Sequence, residues 1–334
     1  MRRPTTRTRR GAALLAALAS LVLTLSACGL GTAGGRVLSG ELSGELEGIS
    51  LEGAEIAVGS KNFSESVILG KIAGTLFASA GADVDDLTNI PGSAAARQAQ
   101  VEGQIDTSWE YTGTAWITYF GETSVITDRQ EAWEKVGQRD LEENGIEWLP
   151  PSPMNNTYGF AVTQEVAKKF GITKLSQIKD LPVAERTFCV ESEFVNRPDG
   201  LPGMLKKYGI PQDSPQGTPR ENLKTYQTGA IYSATAGGEC NFGEVYTTDG
   251  RIGALGLQVL EDDLGYFPNY SVSLTVREEL LEEHPEIREL IAPVAAKLTD
   301  EVLIELNGQV DVEGRDAADV AYDWLVDEGF ITAS

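Results

Sequence analysis

Between Glu55 and Gly81 the spacing of the apolar residues changes once, and no other feature constrains the fold of this chain as much. Ile56 and Val58 alternate, which sets their side chains on one face of a β-strand. From Ser64 onward Ile68, Ile72 and Leu76 recur every fourth residue, as on the buried face of a helix, and Gly81 supplies a stop. The intervening Gly59-Ser60-Lys61-Asn62 is therefore expected to be a strand-to-helix loop. In open α/β sheets, ligands bind at such carboxyl ends of strands. The pattern then returns. Ser93–Gly103 predicts a helix with Ser93 as N-cap, Ile105–Trp109 alternates like a strand, and EYTGTA turns out of it. A helix ending at Gly171, a strand over Arg186–Val190, a helix opening within Asp199–Tyr208 and a strand-turn-strand over Gly243–Asp263 follow, before a helical tail. Such alternation with short connections predicts an α/β fold, and 334 residues are enough for two domains.

The amino terminus has a different character. MRRPTTRTRR is cationic, Gly11–Leu25 is apolar, and Leu25-Ser26-Ala27-Cys28 places small residues before a cysteine. This is the pattern of an export signal over residues 1–27 ending in a bacterial lipobox, with lipid attachment at Cys28. The apolar run is shorter than the about 20 residues that span a bilayer. Residues 28–53, with LSGE twice in succession, are expected to form a flexible tether behind the lipid. Two cysteines remain, Cys189 and Cys240. In an oxidising compartment they are expected to pair, although two buried free thiols are the alternative.

Composition narrows the chemistry. A net charge of −23 argues against a nucleic-acid partner, which needs a basic face, and loss of the signal would remove five arginines more. The single histidine, His284, lies in the acidic run LLEEHPEIREL, a poor setting for a catalytic base. Neither a metal site nor a cofactor is expected. The 50 acidic residues supply many carboxylate pairs, but no spacing singles one out as hydrolytic.

EYTGTAWITYF (110–120) places four aromatics beside glycine and threonine, a composition closer to the lip of a site than to a core. Together with GSKNFSES, ESEFVNRPDGLPGMLKKYG, EVYTTDGRI and LEDDLGYFPNY, it resembles the motifs of the substrate-binding proteins of ABC importers for glycine betaine, carnitine and choline. The resemblance runs from about residue 55 to residue 330. It implies a type II periplasmic-binding-protein fold, with two α/β lobes joined by crossing strands and a ligand cleft between them. Lobe one would comprise 54–155 and 262–334, and lobe two 156–261. It further implies a tyrosine cage, and the matching positions are Tyr111, Tyr158, Tyr246 and Tyr270. A trimethylammonium group has no N–H to donate, so the negative faces of aromatic rings are what can recognise it. Arg197 matches the arginine that holds the ligand carboxylate, Lys61 a lysine expected at a helix N-terminus, and Thr114 a position at the ligand head. Asn156 departs from relatives that carry an acid there, and leaves open whether the ligand is betaine-like, choline or ergothioneine. The implied partners are a small quaternary ammonium ligand and an ABC permease with its ATPase, and the protein would be a monomer lipid-anchored to the outer face of the bacterial cytoplasmic membrane. The rival reading is a surface sensor or interaction protein on the same fold.

Overall fold

The computed structural model describes residues 36–124, 126 and 128–333; the expected signal segment and Cys28 lie outside them. Twelve strands are present among the described residues: β1 (Glu41–Leu42), β2 (Glu55–Lys61), β3 (Asp83–Ile90), β4 (Thr107–Tyr111), β5 (Ile146–Trp148), β6 (Tyr158–Thr163), β7 (Phe188–Glu191), β8 (Leu223–Tyr226), β9 (Phe242–Tyr246), β10 (Leu257–Val259), β11 (Val272–Arg277) and β12 (Ile331–Thr332). Two five-stranded sheets result, in the orders β3-β2-β4-β11-β5 and β10-β6-β9-β7-β8. In the first sheet β2 runs parallel to β3 and β4, and β11 runs antiparallel to β4 and β5. In the second, β7 is parallel to β8 and β9, while β6 is antiparallel to β9 and β10. Helices cover both sheets, as parallel strands require. Each sheet with its helices forms one α/β lobe.

The helix Ser64–Ser79 shows why the fourfold spacing in the sequence is informative. Its Ile68, Ile72 and Leu76 are buried, and so are Leu69, Ala73 and Phe77. It therefore buries nearly its whole circumference, between β2, β3 and the helices Asp300–Asp311 and Ala317–Asp327. The preceding strand is longer than the sequence indicated. Gly59, Ser60 and Lys61 belong to β2, and only Asn62 and Phe63 connect it to the helix. Gly59 lets the strand pass close against Ile105, because a Cβ there would lie 2.2 Å from Ile105 Cδ1. Two further boundaries move. Ser93 is the first residue of its helix rather than the cap, which is Gly92. The link between β9 and β10 contains a helical turn, Arg251–Ala254.

The two lobes are joined by segments 149–157 and 260–271, which run beside each other. The Tyr270 amide donates to Asn155 Oδ1 at 2.8 Å, and Thr157 Oγ1 donates to the Pro268 carbonyl at 3.1 Å. Cys189, at the centre of β7, is joined by a disulfide to Cys240, with Cα atoms 5.8 Å apart.

The expected tether needs correction. β1 pairs antiparallel with β12, the Ser43 amide donates to the Phe330 carbonyl at 2.9 Å, and Leu46 and Leu51 are buried in the main core. The leucines in LSGELSGELEGISLE outweigh the flexibility of its glycines, two of which, Gly44 and Gly48, occupy positive-φ turns. From Gly40 the chain is part of the folded body. Leu46→Ala should accordingly cost about 2–5 kcal/mol, measured as a lower urea midpoint at unchanged slope. A change below ~0.5 kcal/mol would show that the segment contributes no stability.

Candidate ligand-binding site

The carboxyl ends of β2, β4, β7 and β9, two from each sheet, converge on one cavity of about 390 Å³. Its walls include all eight residues expected from the sequence: Lys61, Tyr111, Thr114, Asn156, Tyr158, Arg197, Tyr246 and Tyr270. The topology explains why distant segments meet. Tyr158 opens β6 directly opposite Tyr246, the last residue of β9. Tyr111 closes β4 opposite Val272, two residues after Tyr270.

The rings form a continuous arc. Tyr270 meets Tyr158 edge-on at 5.5 Å between centroids, Tyr158 lies 5.2 Å from Tyr246, Tyr246 stacks on Phe63 at 5.4 Å, and Phe63 lies 6.0 Å from Tyr111. Phe63 was not anticipated. It stands in the two-residue turn out of β2, where a phenylalanine looks like ordinary core. The glycine of EYTGT has a specific purpose: a Cβ on Gly113 would come within 2.7 Å of the Tyr270 ring, so only glycine lets that ring close the arc. After Thr112–Thr114 the chain continues as a π-helical turn, Ala115–Tyr119, and Tyr119 Oη donates to Glu110 Oε2 at 2.7 Å.

The hydroxyls of two arc tyrosines point at buried carboxylates. Tyr111 Oη donates to Glu65 Oε1 at 2.7 Å and Tyr270 Oη to Asp199 Oδ2 at 2.6 Å. Burial first, and then the neighbouring negative charges, push both phenols well above their ordinary range, so both remain neutral donors.

Arg197 is buried, not at the surface. Its Nε and Nη2 grip Asp199 at 2.8 and 2.6 Å, and Nη1 donates to Glu193 Oε1 at 3.0 Å. Three bonds leave two of its five N–H groups for another acceptor. Lys61 departs further from expectation. It lies in the strand and not at a helix N-terminus, it is paired with buried Glu110, and its ammonium sits 4.7 Å from the Tyr111 ring centroid. Its charge is already matched, which weakens its case as an anion donor. The two cations are outnumbered by Glu110, Asp199, Glu191 and Glu193 at or just behind the wall. Asn156 gives its Nδ2 to Glu65 at 2.7 Å, and its buried Oδ1 has no protein partner among the described residues. Thr114 is buried on the same wall. His284 is not part of this wall; it caps the end of the helix Glu278–Glu283. No group of three or more His, Cys, Asp or Glu suited to a metal occurs among the described residues.

A two-lobed α/β frame with an aromatic cavity at the strand ends of both sheets defines a solute-binding protein. Comparison makes this specific. The model of the substrate binding domain of ABC-type glycine betaine transport systems matches residues 54–327, and the chain belongs to that family. A glycine-betaine-binding protein of Pseudomonas aeruginosa is 35% identical over 278 residues, covering 81% of this chain and 86% of that one. An ergothioneine transport permease/ergothioneine binding protein of Helicobacter pylori is 30% identical over 83% of this chain and 48% of its own length. The solved structure of apo YehZ from Escherichia coli superposes with a TM-score of 0.61 at 31% identity, covering 83% of this chain and 99% of that chain. The family is one of transport proteins, not of enzymes.

Proposed function

We propose that the protein captures a small quaternary ammonium solute of the glycine betaine type and hands it, chemically unchanged, to an ABC permease. The observation that carries this is the five-ring arc Tyr111–Phe63–Tyr246–Tyr158–Tyr270, facing a cavity whose two bases are outnumbered by the four acids at or just behind its wall. Each favourable ring contributes roughly 0.5–2 kcal/mol to a desolvated cation. The two remaining N–H groups of Arg197 receive the ligand carboxylate, and Thr114 and Asn156 complete the wall around it. A ligand that touches both lobes binds the closed form best and draws the population towards it. Lobe one is assigned to 54–155 with 262–334, together with the segment docked on it from Gly40, and lobe two to 156–261, with the hinge in the paired segments where Tyr270 meets Asn155. Residues 1–27 serve as the export signal, and Cys28 anchors a monomer to the outer face of the cytoplasmic membrane.

A second reading rests on Asn156. Its unpartnered Oδ1 suits a ligand bearing an O–H or N–H, such as choline or ergothioneine, better than betaine, which carries neither. Calorimetric titration of the full chain in detergent separates the two. Tight betaine, weaker choline and ergothioneine, and no response to proline are the expected result. Choline or ergothioneine as the tightest ligand would move the assignment to the second reading. No response to any methylated ammonium would remove the transport reading in favour of a sensor or interaction protein.

A further inference from the structure

Glu65 lies in the first turn of the helix Ser64–Ser79, behind the cavity and outside its lining. It is 3% exposed. Four donors converge on it. Tyr111 Oη and Asn156 Nδ2 bond Oε1, each at 2.7 Å, while Thr248 Oγ1 and Asn307 Nδ2 bond Oε2 at 2.5 and 3.2 Å. These donors come from the end of β4, the inter-lobe crossing, the segment after β9, and the helix Asp300–Asp311. All four are neutral, and no cation among the described residues is paired with this carboxylate. The cations around this cluster are themselves balanced by acids: Lys61, beside the Tyr111 ring, with Glu110, and Arg251, which shares a small cleft with Glu65 and Thr248, with Asp249 and Asp311. A desolvated carboxylate without a counter-charge is costly to keep. The cavity one side chain away is where a cation would offset it.

We infer that Glu65 is a positioning residue that sets the affinity of the site for a cation, acting through Tyr111 and Asn156 without touching the ligand. This rests on the quaternary-ammonium reading above. Two consequences of its bonds carry the inference. A phenol that donates to a carboxylate becomes more electron-rich, so the Tyr111 face attracts a cation more strongly. An asparagine whose Nδ2 is held by a carboxylate must turn Oδ1 the other way, and in Asn156, a residue of the cavity wall, Oδ1 is buried and has no protein partner among the described residues. A glutamine of the same shape would preserve the packing, remove the charge that enriches the Tyr111 ring, and turn one of the two acceptor atoms into a donor, so that the four donors can no longer all be satisfied.

The titration supports the geometry. Burial holds the Glu65 carboxyl above its ordinary value, opposed by the bonds from Thr248, Tyr111, Asn156 and Asn307. An arriving cation favours the ionised form, so binding expels a proton, and affinity falls as pH drops through the raised value. Asp311, also raised by burial, titrates nearby and contributes to the wild-type profile, so the variant is needed to isolate Glu65.

The test is calorimetry on the full chain and on Glu65→Gln, with glycine betaine and tetramethylammonium as probes, from about pH 7.5 to about pH 5. The expected result is a loss of roughly tenfold or more for both probes at the upper pH, with a flatter pH profile and less proton release. Glu65→Asp, which keeps the charge, is expected to retain the pH dependence. A Glu65→Gln protein that binds both probes within about threefold of wild type, with the same pH profile, would overturn the inference and leave the aromatic arc standing. Should Glu65→Gln fail to fold, Tyr111→Phe, which keeps the ring and cuts its bond to Glu65, takes its place, and binding of both probes within about threefold of wild type would overturn the inference equally. A wild type silent to every quaternary ammonium would remove this inference together with the reading beneath it, and that outcome is visible without any variant.

Discussion

Arg197→Ala is expected to be the most damaging single substitution in the site, and to affect ligands unequally. The guanidinium is 5% exposed and holds Asp199 through two bonds and Glu193 through one. Removing it leaves one fully buried and one partly buried carboxylate without their counter-charge, and such losses cost about 3–5 kcal/mol. Urea unfolding should show this directly. Betaine should lose affinity by about two orders of magnitude, as expected when a charged hydrogen-bond pair is broken. Tetramethylammonium and choline, which have no carboxylate, should lose much less, because the cavity becomes more negative. Equal weakening of all three would mean that Arg197 supports the fold and the Tyr270–Asp199 contact without reading the carboxylate.

The contrast between Arg197 and Lys61 shows what the sequence could and could not disclose. Both stand in recognisable motifs, and both reach the cavity wall. Their partners, Asp199 two residues away and Glu110 forty-nine residues away, were not equally visible. A short-range bidentate pair can be suspected from VNRPDG, whereas the Lys61–Glu110 pair exists only because β2 and β4 are parallel neighbours. The four tyrosines were legible because each sits in a distinctive local motif. Phe63 and Glu65 were not, although they lie in the same GSKNFSES stretch. Their roles depend on which way the turn into the helix faces, and the strand continues through Lys61 where a loop was expected. The docked amino-terminal segment was missed for a related reason. Glycine and serine advertise flexibility, while the contribution of Leu46 and Leu51 depends on a carboxyl-terminal strand nearly three hundred residues away.

Tyr246→Ala should weaken betaine by about 1–2 kcal/mol from the lost ring face alone, which is roughly five- to thirtyfold in dissociation constant. Tyr246 is the middle ring of the arc, stacked on Phe63 at 5.4 Å and 5.2 Å from Tyr158, so its truncation also frees Phe63 to turn into the cavity. Because the side chain is only half-buried, stability should change far less than binding. Tyr246→Phe keeps the face and should bind within about threefold of wild type. Tyr111→Phe makes the sharper comparison. It also keeps a ring, yet it removes the hydroxyl that donates to Glu65 at 2.7 Å and leaves that buried carboxylate one donor short. If cation recognition depends on ring faces tuned from behind by carboxylates, Tyr111→Phe must cost clearly more than Tyr246→Phe. Two phenylalanine variants of equal and small effect would leave the arc intact and make the hydroxyl bonds incidental. Two of equal and large effect would mean that the ligand is read by hydroxyls, which a trimethylammonium group cannot use.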